Sequence, residues 1–250
     1  VFPGRFLRRR SINVMKGKNQ ESAEPLRVGE IPYLNLVPIF TALKEYFNTE
    51  GIRFIKEHPR EINKMLREGE IDISPSSSIE YAKYPDRYLL IPDISVSSRE
   101  KVLSVLLFSP FPLEKNDVPL IYTTVHSDSS FILTKIVMTL FMGKKTDVTP
   151  LENARKEGKA RGVPYLLIGD EAIMESMKGK DEKNTHVYDL GELWNRYTGL
   201  PFPFALWMVN RERFEKDRRI IKKFCRKLLD AKKIAGNIVR YGDRKIAVRK

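Results

Sequence analysis

The strongest constraint on this chain is a repeated exchange between two hydrophobic periods. Short apolar runs of strand length alternate with segments whose apolar residues recur every three or four positions. "LRVGEIP" reads as a strand, and "NLVPIFTALKEYF" follows with Leu36, Ile39, Phe40, Leu43 and Phe47 at helical spacing. "IRFIKEH" is a second strand and "PREINKMLREGE" a short helix ending near Gly69. "IDIS" is a third strand, and "SSIEYAKYP" a helix stopped by Pro85. "YLLIPDISV" and "VLSVLLFS" are further strands. After the Pro-rich "SPFPLEKNDVP" the same grammar resumes: "PLIYTTV" as strand, "SSFILTKIVMTLFM" as helix, "YLLIGD" as strand, "EAIMESMKG" as helix. "ENARKEGKARGVP", with hardly an apolar residue, reads as weakly structured. "LGELWNRYTG", the apolar "FPFALWMVN" and a long basic helix from about Arg213 complete the chain. This alternation predicts an α/β layer fold with mostly parallel sheet.

The expected organisation is two α/β lobes with a ligand cleft between them. The second lobe, 108–187, is inserted into the first, which comprises 26–107 and 188–250. The crossings near 102–108 and 187–191 would act as a hinge. Residues 1–25 read as a disordered basic arm, or as an over-extended start with Met15 as the true first residue.

A net charge of +13 suggests a nucleic-acid partner until it is divided along the chain. Residues 1–27 carry 7 Lys/Arg and 2 acids, and residues 211–250 carry 16 Lys/Arg and 5 acids. The stretch 28–210 then holds 22 basic and 25 acidic residues, so the body is not a basic platform and no specific nucleic-acid partner is expected. The single cysteine, Cys225, excludes a disulfide framework, and His58, His126 and His186 lie far apart in sequence with no ligand motif. No metal and no cofactor are expected. No apolar run reaches the length of a membrane span, and "FILTKIVMTLFM" is broken by Lys135. The basic start lacks an apolar segment behind its charges, which argues against a secretory signal and for the cytoplasm. The oligomeric state is open.

Parallel α/β sheets bind ligands beyond the carboxyl ends of their strands, where helix starts present free N–H groups to anions. At those junctions this sequence places Asn35, then Ser76, Ser77 and Ser78, then Ser127, Asp128, Ser129 and Ser130, then Asp170. Each has a plain structural use. Asn35 could cap a helix with Pro38 in its first turn; Ser77 and Glu80 fit the S-x-x-E capping box; Ser127 or Ser129, and Asp170, could be caps. A cap uses one hydroxyl, however, and both serine clusters hold more. No Ser–His–Asp set, GxSxG elbow, Walker loop or GxGxxG turn is present.

"GEIPYLNLVPIF", "GEIDISPSSSIEYAKYP", "HSDSSFILTKI", "LLIGDEAI" and "DLGELWNRYTGLPFPFALWMVN" occur in that order. Together, from about Val28 to Arg211, they resemble the chorismate dehydratase family of the futalosine pathway of menaquinone biosynthesis. The resemblance implies the type 2 periplasmic-binding-protein-like fold. It also implies elimination of water from chorismate to give 3-[(1-carboxyvinyl)oxy]benzoate. Asn35 of "PYLN" matches an active-site asparagine, and Ser77 and Ser78 of "SSIEY" cover an active-site serine. Ser129 and Ser130 match a segment that meets a carboxylate, with Ser76 and Ser127 as neighbouring candidates. Asp170 matches a "GD" element of binding or structural use. The chain ends sooner after the basic helix than the resemblance leads one to expect. Two other readings remain open: a solute-binding protein for a small carboxylate, and the sibling dihydroxynaphthoate synthase family. "PYLN" and "SSIEY" favour the dehydratase.

Overall fold

The computed structural model describes residues 24–178 and 185–241; the arm and the last residues of the chain, 242–250, lie outside them but for Glu24 and Pro25. Two five-stranded sheets organise it. The first, in order β2-β1-β3-β10-β4, uses β1 (Leu26–Glu30), β2 (Ile52–Lys56), β3 (Ile73–Ser77), β4 (Tyr88–Ser98) and β10 (Phe202–Asn210). The second, in order β7-β6-β8-β5-β9, uses β5 (Val105–Ser109), β6 (Leu120–Thr123), β7 (Asp147–Pro150), β8 (Tyr165–Ile168) and β9 (His186–Asp189). The chain crosses between them after β4 and again before β10.

Both sheets are mixed, which corrects the expectation of mostly parallel pairing. β1 pairs in parallel with β2 and β3, and β6 with β7 and β8. β10 runs antiparallel to β3 and β4, and β5 antiparallel to β8 and β9. Every antiparallel pair involves β5 or β10, the strands by which the chain passes from one sheet into the other, whereas the parallel pairs join strands connected within one half. "VLSVLLFS", continuous in sequence with β4, accordingly contributes its strand to the second sheet.

In the first half, α1 (Val37–Tyr46) starts with Pro38 in its first turn and buries Ile39, Phe40, Ala42 and Leu43. α1 packs against α9 (Arg218–Tyr241), which buries Ile221, Phe224, Leu228, Ala231 and Ala235 along one stripe. The basic segment is thus two helices, α8 (Arg211–Lys216) and α9, broken at Asp217. α2 (Pro59–Arg67) lies on β3, where Gly29 lets the layers close: a Cβ there would stand 2.7 Å from that of Ser74.

In the second half, α4 (Asp128–Ile136) runs into a π-helical turn, Val137–Phe141. The "ENARKEGKARG" segment is a helix, α5 (Ala154–Arg161), ended by Gly162 at φ 63°. It has no apolar stripe. Gly158 sits flat on the Tyr165 ring, where a Cβ would come within 2.5 Å. Buried Glu175, on α6 (Gly169–Lys178), receives Arg155 at 3.2 Å and Lys159 at 2.8 Å. Close approach and ion pairs hold α5, so hydrophobic periodicity could not reveal it. α7 (Leu190–Thr198) packs Leu190 and Leu193 into the second core with Val105, Leu107 and Leu166.

Candidate active site

A cavity open to solvent on one side lies between the two sheets. Tyr33, Asn35 and Leu36 reach it from the β1–α1 junction and Ser77 from the end of β3. Ser127 and Ser130 come from the start of α4, and Gly169 from the start of α6. The crossovers add Val102 and Ser104, and β10 adds Phe204 and Ala205. Among these lining residues none is an acid, lysine, arginine or histidine.

Ser77 is the N-cap of α3 (Ser78–Lys83), accepting from the Glu80 N–H at 3.3 Å. The capping box is only half made. Glu80, 2 % exposed, turns away to Arg67 at 2.8 and 2.9 Å and to the Tyr88 hydroxyl at 2.7 Å. Asn63 takes its place. Its Oδ1 accepts from the Ser77 N–H at 3.0 Å, and its Nδ2 donates to Ser77 Oγ at 2.9 Å. Ser77 Oγ therefore accepts two hydrogen bonds, and its own proton is left to donate into the cavity.

The start of α4 repeats this chemistry from the other half. Ser127 Oγ accepts from the Ser130 N–H at 3.2 Å and donates to Ser130 Oγ at 2.9 Å. Ser130 Oγ, an acceptor there, retains its proton for a ligand oxygen. Ser129 and Ser78 do something else. Their hydroxyls meet at 3.1 Å, and Ser129 Oγ also accepts from the Ile79 N–H at 3.3 Å, so they join α3 to α4 across the two halves. Ser76 is fully buried, and its hydroxyl is paired with that of Ser74 at 2.8 Å, away from the cavity. Asn35 is exposed in the cavity wall and does not cap α1, whose N-cap is Leu36. Asp170 lies in the first turn of α6 beside Gly169, which lines the cavity at φ 59°.

Tyr33 was not among the candidates, although it stands two residues before Asn35. Its carbonyl accepts from the Leu36 and Val37 N–H groups at 2.9 and 3.2 Å, which fixes the turn that aims it. Burial, with the charges of Asp170 and Glu171 behind it, pushes the phenol up to about 12, so it remains a donor at any working pH. At the rim, His58 and His126, distant in sequence, stack at 4.8 Å with their planes 20° apart, one from each half. Val102 and Ser104 reach the site through the first crossover and Phe204 from the start of β10, places that no local motif marks.

The two crossovers are fastened by one carboxylate. Asp189 Oδ1 accepts from the Val102, Gly191 and Glu192 N–H groups at 3.0, 2.9 and 3.1 Å, and Oδ2 from the Leu103 N–H at 2.7 Å. Leu103 is held at φ 64°.

The family model described as "Menaquinone biosynthesis" matches residues 26–240. The chorismate dehydratase of Thermus thermophilus is 32% identical over 203 residues, covering 75% of this chain and 71% of that protein. That of Campylobacter jejuni is 29% identical over 201 residues, covering 78% and 72%. The periplasmic aliphatic sulphonate binding protein SsuA from Escherichia coli superposes with a TM-score of 0.60 at 15% identity, over 90% of this chain and 77% of that one. At that identity the likeness concerns the fold, which is that of the periplasmic binding proteins. With a match running through both sheets and every helix start at the cavity, the chain belongs to the menaquinone biosynthesis family.

Proposed function

We infer that this chain is a chorismate dehydratase of menaquinone biosynthesis, a hydro-lyase that converts chorismate to 3-[(1-carboxyvinyl)oxy]benzoate and water. The observation that carries this most directly is the pair of donor hydroxyls, Ser77 and Ser130, converging from the two halves on one uncharged cavity. Chorismate is a small dicarboxylate, and hydroxyl donors on opposite walls suit carboxylates at opposite ends of a ring. No helix among the described residues is long and apolar enough to cross a membrane. We place the reaction in the cytoplasm, where a free Cys225 stays reduced.

The reaction breaks the C3–H and C4–O bonds of the ring and forms the double bond that completes an aromatic ring. Aromatisation supplies the driving force, so the site must mainly orient the dianion and favour elimination over rearrangement. Asn35 is neutral and cannot serve as an ordinary base. It orients the C4 hydroxyl or a carboxylate by hydrogen bonds, while the substrate's enolpyruvyl carboxylate, beside C3, takes the proton. The proton and the departing hydroxide leave as water. Ser77 and Ser130 hold the carboxylates, and Ser127, whose proton goes to Ser130 Oγ, aims Ser130 at its carboxylate; Ser78 and Ser129 hold the halves in register for them.

Incubation with chorismate, followed by chromatography and mass, tests this. The product is one water lighter than the substrate. Recovery of intact chorismate from folded protein would refute the assignment and leave a carboxylate-binding role. Asn35→Asp puts a carboxylate against a dianion, and kcat/KM falls by on the order of a hundredfold. Turnover that rises in that variant would refute the orienting role of Asn35.

A further inference from the structure

The inner cavity carries no charged side chain among its lining residues, yet the substrate proposed for it is a dianion. The positive charge stands one step outward. Asn35, Leu36, Val96, Val102 and Ser104 line both that cavity and a larger, more open groove bounded by β4, the first crossover and α9. Arg99, Lys101 and Lys232 stand on its walls, and among the lining residues there is no carboxylate. Lys232 donates to the Asp93 carbonyl, a neutral partner that leaves its charge uncompensated. Lys101 has Glu192 at 3.6 Å, an exposed pair that water screens. Arg99 is exposed, with no ion pair or hydrogen bond to any other described residue. Ser95 and Ser97, whose hydroxyls touch at 3.0 Å, line the same wall.

We propose that this groove is an anion-capturing antechamber, in which Arg99, backed by Lys101 and Lys232, takes one carboxylate of a small dicarboxylate and passes the ligand to the uncharged inner cavity. The identity of the ligand rests on the dehydratase assignment; its charge class does not. A guanidinium presents paired donors that match a carboxylate, and three cations on an apolar wall focus the field at the entrance. Charge placed at the mouth speeds capture. The same charge inside would also retain the product, which is a dicarboxylate as well.

The test is Arg99→Glu, with Arg219→Glu as the control. Arg219 is exposed on α9 and lines a different groove, so the two variants change net charge equally. Reversing the charge that meets the dianion at the entrance lowers kcat/KM for chorismate roughly tenfold at low salt, through KM, and by less than about twofold near 0.5 M salt. Arg219→Glu loses much less. Equal losses in both variants, or an unchanged kcat/KM and salt slope in Arg99→Glu, would overturn the proposal. Calorimetric titration with isophthalate, an unreactive dicarboxylate, separates this from the assignment of activity. If chorismate is untouched but isophthalate binds with an affinity that salt and Arg99→Glu both reduce, the dehydratase assignment fails and the antechamber stands. If chorismate turns over while neither turnover nor isophthalate binding depends on Arg99, the antechamber alone fails.

Discussion

Replacing Asp189 by alanine should loosen both crossovers at once. Its carboxylate is 7 % exposed and accepts backbone N–H groups from Val102, Leu103, Gly191 and Glu192. The bonds to Gly191 and Glu192 cap α7, and losing a cap costs about 1 kcal/mol. The bonds to Val102 and Leu103 are to a charged acceptor and contribute roughly 1.5 kcal/mol each. Asp189→Ala should therefore cost about 4 kcal/mol, a large share of the 5–15 kcal/mol typical of a domain. Asp189→Asn is the sharper probe. Its oxygen can keep the Oδ1 partners, but its NH₂ then faces the Leu103 N–H, donor against donor, and about 2 kcal/mol is lost. Leu103 bears on this too, because a leucine at φ 64° costs roughly 1–2 kcal/mol that the clasp must hold in place. Urea unfolding followed by tryptophan fluorescence reads both halves, since Trp207 lies in the first core and Trp194 packs against the second. An Asp189→Ala variant within about 0.5 kcal/mol of the parent would show that water serves those N–H groups as well as the carboxylate does.

Other substitutions separate packing from function. Glu80→Gln removes the charge opposite Arg67 in a buried network and should cost about 3 kcal/mol, read as a lower urea midpoint. Gly158→Ala would ordinarily gain about 1 kcal/mol in a helix. Here the added methyl meets Tyr165 at 2.5 Å, and thermal unfolding should show a net loss. Burial pushes the Cys225 thiol up to about 11 from 9.0, so thiol reagents should react slowly with the native protein at pH 8 and rapidly after denaturation. Because the folded state binds that proton more tightly, the group's contribution to stability is complete below pH 9 and disappears as the pH rises through 11. A denaturation series across that range checks the sign.

The sequence pattern revealed most of the elements because strands and helices here keep clean periods, as in α1 and β8. It also located the serine junctions, since hydroxyls crowd there beyond what caps require. It did not divide their labour. Ser76 sits in a strand facing Ser74, Ser77 is held by Asn63 from another helix, and Ser129 faces Ser78 across the halves. Those partners lie 2 to 51 residues away, so the distant ones are set by the fold alone. The same holds for Glu80, whose capping-box spacing is intact while its carboxylate serves Arg67 and Tyr88. α5 escaped because ion pairs and a bare glycine, rather than an apolar stripe, dock it.

The order of the first sheet has a consequence for the newborn chain. β4 ends at Ser98, and its one sheet neighbour, β10, begins at Phe202. Roughly a hundred residues must be synthesised in between, on the order of 5–20 s at usual rates of translation. Throughout that interval an 11-residue strand stands beside the ribosome with both edges open, while β5 to β9 can already assemble. Such an edge invites pairing with other nascent chains. β4 carries its own deterrents: Pro92 cannot donate to a ladder, Asp93 takes φ 61°, and Ser95, Ser97 and Ser98 thin out its apolar face. Features that line a groove in the finished protein thus also protect the unfinished one from its neighbours.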